Sequence, residues 1–246
     1  MVFAGSADEK FMANDEVLLQ REYYTRTALD YEKMHVQGGG EHDLACAIIH
    51  SMCIHHDFTS VLDVGSGTGR AVSYLSKKLP SVKVIGIEPV AALRAVGYKS
   101  GLSASVLVDG DATRMIYPDS SFDLVCELGV LHHLPCPRKA VAEMLRVAKR
   151  GIFISDSNRF GHGSIISRFA KLLLWKLRLW PSVNWIKTRG RGYNYGEGDG
   201  VAYSYSVFDD YSYISSRCRS VMVFNLDGDG ESSLIGAPHV GILAMK

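Results

Sequence analysis

Three carboxylates and three glycines carry the chemistry this sequence offers first. Residues 61–70 read VLDVGSGTGR, an apolar run and an acid followed by glycine at every second position. Such glycines let the chain turn sharply and bring backbone N–H groups against a ligand with no Cβ in the way. The apolar run suits a buried strand, and residues 70–79 suit the helix after it, with Pro80 just past its end. A strand, a glycine loop and a helix in this order suit a nucleotide-like cofactor. A dinucleotide fingerprint would need glycine at position 70, where Arg70 stands, and a phosphate-binding P-loop would need a Gly-Lys-Ser/Thr ending, which is missing.

Downstream segments narrow the choice. KVIGIE (83–88) is a second apolar strand ending in Glu88, about 20 residues past the loop, where a carboxylate can accept from two adjacent ribose hydroxyls. SVLVD (105–109) leads into Gly110-Asp111-Ala112, SFDLVCE (121–127) leads into LGVLHHL (128–134), and RGIFISD (150–156) supplies a fifth strand. The run Asp63-x-Gly65-x-Gly67-x-Gly69 resembles motif I of class I S-adenosylmethionine-dependent methyltransferases. The fourth strand and its exit resemble the branch of methyltransferase domain type 11, which includes the ubiquinone and menaquinone C-methyltransferases. The resemblance spans roughly Thr59 to Asp156.

That resemblance implies an α/β, Rossmann-like, doubly wound seven-stranded sheet, mostly parallel with an antiparallel C-terminal hairpin. It also implies N-terminal helices and a lid insertion after the fifth strand. The implied cofactor is S-adenosyl-L-methionine, with S-adenosyl-L-homocysteine as product. Residue by residue, it assigns Gly65, Ser66, Gly67 and Gly69 to the loop around the amino-acid portion and Asp63 to the vicinity of the amine. Glu88, with Pro89 beside it, goes to the ribose, Asp111 and Ala112 to the adenine, and Glu127 and Leu128 to a backbone carbonyl that accepts from the amine. A sulfonium makes its methyl carbon electrophilic, so the protein has to align an acceptor in line, exclude water and remove a proton where needed. His132 and His133 are the candidate bases or substrate contacts, because imidazole titrates near neutrality. Tyr23, Tyr24, Asp156, Asn158, Tyr203 and Tyr205 are candidate substrate-binding residues. No metal is expected, since the adjacent pairs His55-His56 and His132-His133 diverge on regular elements.

The 246 residues, 47% hydrophobic, read as one domain: an N-terminal tail and cap helices (1–58), a cofactor-binding core (59–158), a lid and substrate insertion (159–215) and closing strands (216–246). The tail runs to about Ala13, Gly38-Gly39-Gly40 marks a hinge, and residues 41–56 form a helix with Leu44, Ile48, Met52 and His55 at helical spacing. A net charge of +1 gives no reason to expect nucleic acid, and five scattered cysteines suggest neither a disulfide framework nor a zinc knuckle. With no secretory pattern and no bilayer-spanning run, the expected location is cytoplasmic. Residues 164–180 form a basic amphipathic helix, read either as a peripheral membrane or substrate contact or as a core or dimer contact. Residues 188–213 hold six of the twelve tyrosines among interleaved glycines, as a substrate loop would. The closing strands join through Gly228-Asp229-Gly230. The expected partner is a small, amphiphilic, aromatic or glycan-lipid methyl acceptor. The alternatives are a non-catalytic binding or scaffold subunit that keeps the fold, and a protein or RNA methyltransferase.

Overall fold

The computed structural model describes residues 7–35, 40–227 and 232–246, with side chains from position 15 onward and not at position 35. The glycines at 38 and 39 and the joint at 228–230 lie outside the described residues. Strands β1 (Ser60–Val64), β2 (Lys83–Ile87), β3 (Leu107–Val108), β4 (Phe122–Leu128), β5 (Ala148–Ser157), β8 (Ser220–Asn225) and β9 (His239–Met245) form one sheet in the order β3-β2-β1-β4-β5-β9-β8. The first five pair in parallel, and β9 lies antiparallel between β5 and β8. The chain therefore winds outward from β1 in one direction and restarts at β4 in the other. That reversal opens a crevice at the carboxyl ends of β1 and β4, where doubly wound sheets bind ligands.

Strand alternation sorts the core into two layers. Val61, Leu124, Phe153 and Leu243 face helices α3 (Glu41–His55) and α4 (Arg70–Lys78) through Ile49, Cys53, Val72 and Leu75. Leu62, Val125, Ile152 and Ile242 face α6 (Pro137–Val147) and α9 (Phe208–Ser215) through Val141, Met144 and Ile214. Helix α1 (Ala7–Thr27) starts well before the end of the expected tail, breaks over residues 28–30 and resumes as α2 (Tyr31–His35). Helix α1 packs on α5 (Ala91–Lys99) around Ala28, Val90 and Leu93.

The insertion after β5 holds α7 (Ile165–Lys176), α8 (Trp180–Lys187) and a two-stranded hairpin, β6 (Tyr193–Gly196) with β7 (Gly200–Tyr203). The single helix expected over 164–180 is two helices. Arg178 turns the backbone to φ 59°, and Pro181 sits at the start of the second. Gly161, between β5 and α7, lies so close to the Ala237 carbonyl that an added Cβ would overlap that backbone oxygen. Gly161→Ala is therefore expected to cost about 1–3 kcal/mol through a forced backbone shift. A urea melt whose midpoint matches the parent's would contradict this.

Candidate functional site

A cavity of about 640 Å³ opens at the crevice between β1 and β4. Its floor is the first part of the glycine loop, Gly65 and Gly67. Gly69, expected beside them, lines neither this cavity nor the pocket next to it and faces Leu102 and Leu107. Gly65, Gly67 and Gly69 have φ of 70°, 57° and 82°, a region that favours glycine, and Gly69 starts α4 from that conformation. A Cβ at position 67 would press on the Tyr31 hydroxyl, at 3.1 Å, so the loop and the phenol lie face to face. Beyond β2, Glu88 is buried. Its Oε2 accepts from the Gly67 N–H at 3.0 Å and its Oε1 from the Val90 N–H at 2.8 Å. Burial pushes its carboxyl up to about 7, against the pull of those two N–H groups. No cation is ion-paired with that carboxylate among the described residues. Its remaining lone pairs face a cavity it lines, which suits hydroxyl donors.

Asp111, Ala112 and Thr113 line the next stretch of wall. The Asp111 Oδ1 accepts from the Thr113 N–H at 2.8 Å, and its Oδ2 pairs with Arg21 at 3.0 Å. A smaller pocket adjoins the loop and takes in Asp63, Ser66, Arg70 and His42. Burial pushes Asp63 up to about 6. His42 is pulled down to about 4, first by burial and then by His239, and its Nδ1 is buried with no hydrogen-bond partner among the described residues.

At the far end the two histidines take different parts. The His132 Nδ1–H donates to Asp156 Oδ1 at 2.7 Å, and its Nε2 stands 3.4 Å from Asp199. Burial pulls His132 down, but Asp156 and then Asp199 outweigh it and push the imidazole up to about 10. His132 therefore carries a proton at neutral pH and cannot accept another. His133 is pulled down to about 4 by burial and by the neighbouring His132 charge. It donates from Nδ1 to the Val201 carbonyl at 2.6 Å, which leaves Nε2 as an acceptor for the Tyr24 O–H at 2.9 Å. His133 and Tyr24 both line the cavity. The ligand atoms of His132, His133 and Asp199 lie within 4.8 Å of one another, a convergence that sequence adjacency did not foretell.

Of the expected cofactor residues, Gly65, Gly67, Glu88, Pro89, Asp111, Ala112 and Leu128 line the cavity, while Asp63 and Ser66 line the smaller pocket. The Glu127 side chain turns inward, accepting from the Val130 and Ser155 N–H groups. Most of the expected substrate contacts are spent on the protein itself. Asp156 is completely buried and accepts from the Leu131 and His132 N–H groups. Asn158, also buried, donates to the Leu234 and Ala237 carbonyls and accepts from Ser206. Tyr205 donates to Asp210, Tyr203 to Glu16, and Tyr23 to the Glu197 carbonyl. Of these six residues Tyr24 alone faces the main cavity. Gln20, Arg21, Tyr31 and Asp199 complete the surroundings and were missed. Of these, only Asp199 left a local trace, an acid between glycines in the tyrosine-rich segment.

Comparison with known proteins bears on this cavity. Residues 62–155 match a family model described as a methyltransferase domain. Ajmaline N-methyltransferase of Rauvolfia serpentina is 38% identical over 99 residues, covering 39% of this chain and 34% of that protein. Demethylmenaquinone methyltransferase of Deinococcus radiodurans is 32% identical over 100 residues, covering 39% and 41%. The chain thus spans about a third to two fifths of the length of these relatives. Magnesium protoporphyrin IX methyltransferase of Synechocystis PCC 6803, solved with bound S-adenosylmethionine, superposes with a TM-score of 0.61 at 12% identity, covering 100% of both chains, a likeness of fold.

Proposed function

We propose that this chain, whose residues 62–155 are a class I S-adenosylmethionine-dependent methyltransferase domain, methylates a small acceptor with an apolar body. The observation that carries the reading is Glu88, a buried carboxylate with no ion-paired cation among the described residues, at the end of β2 and lining the cavity. The residues present fit the cofactor. Glu88 suits the ribose hydroxyls and the glycine loop suits close backbone approach. Asp63, with the orphaned His42 Nδ1 and Arg70, gives the smaller pocket groups of both signs for an amino-acid end. When bound, S-adenosylmethionine supplies an electrophilic methyl.

This chain's own residues then orient the acceptor, exclude water and take up its proton. Val17, Leu18 and Leu134 line the cavity with Lys139, a lining that suits an acceptor with an apolar body and a polar end. Helix α1 and β7 close over one side. Gln20 accepts from the Val201 N–H, and Tyr23 holds the Glu197 carbonyl. His133, neutral and at the cavity wall, is the proton acceptor for an acidic nucleophile by way of Tyr24. The Tyr24 hydroxyl passes its proton to the His133 Nε2 as it takes up the nucleophile's, and the Val201 carbonyl fixes the tautomer.

Two measurements test the reading. Calorimetry with S-adenosylhomocysteine should show saturable binding, and a flat titration would favour a non-catalytic scaffold. Labelled donor incubated with host extract should label a small, extractable molecule, and label confined to protein or RNA would overturn the acceptor class. With that acceptor in hand, His133→Gln should lower kcat about ten- to a hundredfold, at the modest end of general-base effects because so weak a base gains little from proton transfer. Its dissociation constant for S-adenosylhomocysteine should stay within about twofold of the parent's. An unchanged kcat would remove His133 from the chemistry.

A further inference from the structure

The segment 157–196 contains eight Lys and Arg and not one Asp or Glu. It therefore carries +8 in a chain of net charge +1, which leaves −7 on the remainder. Within it, α7 buries none of its residues. Ile166, Phe169, Leu173 and Leu177 stand at spacings of three and four, so they share one helix face, and they are 79%, 53%, 58% and 57% exposed. Trp185 and Ile186 of α8 add to the exposed apolar surface, at 61% and 70%. Among the described residues the basic groups around them form no ion pair. Arg168 and Lys171 donate only to backbone carbonyls, which leaves their charge uncompensated. Among the described residues, the one basic residue of the segment that is ion-paired is Arg159, with Asp209.

We propose that α7 and α8 form a peripheral docking surface for an anionic lipid bilayer, lying in the headgroup plane with the apolar stripe dipped into the acyl boundary. Three features select this occupant. Large aliphatic and aromatic side chains beside unpaired Lys and Arg are what an interfacial helix needs. A second copy of the same face would bring two sets of like charge together, which opposes a symmetric dimer. A nucleic acid would be drawn by the charge but has no use for an exposed Ile and Leu stripe, since it is bound through phosphates and stacked bases. Helix α7, 12 residues and roughly 18 Å long at 1.5 Å per residue, lies on such a surface and does not cross it. Among the described residues no helix is long and apolar enough to cross a membrane.

The test is co-sedimentation of the full chain with vesicles of phosphatidylcholine alone and with about one third phosphatidylglycerol. Binding is expected to the anionic vesicles only, weakening as salt rises, since each basic side chain near the surface contributes separately. Phe169→Glu with Leu173→Glu should lower the partition coefficient at least tenfold, and Lys176→Glu with Lys187→Glu should do the same without touching the stripe. All four positions lie outside the cavity lining, so S-adenosylhomocysteine affinity should stay at the parent value and report an intact fold. Three results would overturn the proposal. One is no binding to anionic vesicles. Another is binding that survives both double variants. The third is sedimentation equilibrium showing a dimer that the Phe169→Glu, Leu173→Glu variant dissolves, which would assign the stripe to a second copy. Equal affinity for a single-stranded oligonucleotide, unaffected by that variant, would reduce the surface to electrostatics and likewise defeat it.

Discussion

Glu88→Ala is expected to weaken S-adenosylhomocysteine binding by about two to four orders of magnitude. The carboxylate is placed to accept from two vicinal hydroxyls, and a charge-assisted hydrogen bond contributes roughly 1.5–3 kcal/mol. Two of them amount to about 3–6 kcal/mol, with about 1.4 kcal/mol per tenfold change in affinity. The same substitution strips the Gly67 and Val90 N–H groups of their acceptor, so it also loosens the glycine loop. Glu88→Gln keeps the shape and one acceptor, and should fall between the parent and the alanine variant.

The pH dependence separates charge from shape. Burial raises Glu88 from the ordinary 4.5 to about 7, so the free native protein holds a proton there across that window while the unfolded chain does not. The free protein should therefore lose stability, relative to Glu88→Gln, as pH rises from about 4.5 to about 7. Ligand affinity should move the other way. It should fall as pH drops through about 7 and the acceptor is protonated, and Glu88→Gln should abolish that slope. Calorimetry at several pH values reads both effects, and an alanine variant with the parent's dissociation constant would refute the ribose assignment.

The cavity wall built by Gly65, Gly67 and Glu88 was legible because its determinants are local. An apolar strand, alternating glycines that need positive φ, and an acid at the next strand's end each declare themselves within ten residues. The cap was not legible. Arg21 meets Asp111, and Gln20 meets Val201, across 90 and 181 positions of chain, and no periodicity in either segment records the meeting. Strand parity explains why the Asp156 carboxylate is spent inside the protein, and the Glu127 side chain with it. Ile152, Ile154 and Asp156 point to one face of β5, and Val125 and Glu127 to the matching face of β4, so both acids follow the core inward and spend themselves on backbone N–H groups. In α3 the residues at helical spacing, Leu44, Ile48, Met52 and His55, border the buried face and do not centre on it. Ala45, Cys46, Ile49 and Cys53 are buried, Ile48 and Met52 pack half-buried against the same core, and Leu44 is 45% exposed. Helix α7 shows the limit of periodicity itself. An amphipathic stripe tells which side is apolar and leaves open whether anything in the same chain covers it.

Asp156→Asn is expected to destabilise the fold by about 3–5 kcal/mol, the usual cost of removing one partner from a buried ion pair and leaving the other charge behind. Asp156 is wholly buried and holds His132 at 2.7 Å, with two backbone N–H groups on its second oxygen. Burial alone would raise its carboxyl, but His132 holds it below the ordinary 3.8. The signs for the pair are complementary. His132 is raised above its unfolded 6.5, so its contribution is complete below pH 6.5 and is lost as pH rises through about 10. Asp156 is depressed, so its contribution is complete above about 4 and is lost as pH falls through its lowered value. The pair thus stabilises the protein across the neutral range, and the penalty in Asp156→Asn should be largest there and shrink above about pH 10. Proton NMR of the His132 ring should show it protonated through neutral pH in the parent and titrating at lower pH in the variant, where burial acts with only Asp199 to oppose it. The cycle closes with His132→Leu. If the pair is the cause, the double variant should be more stable than Asp156→Asn alone, because no buried charge is stranded. Additive losses, or a parent His132 that titrates near 6.5, would show that Asp156 serves only the backbone N–H groups of the 131–132 turn.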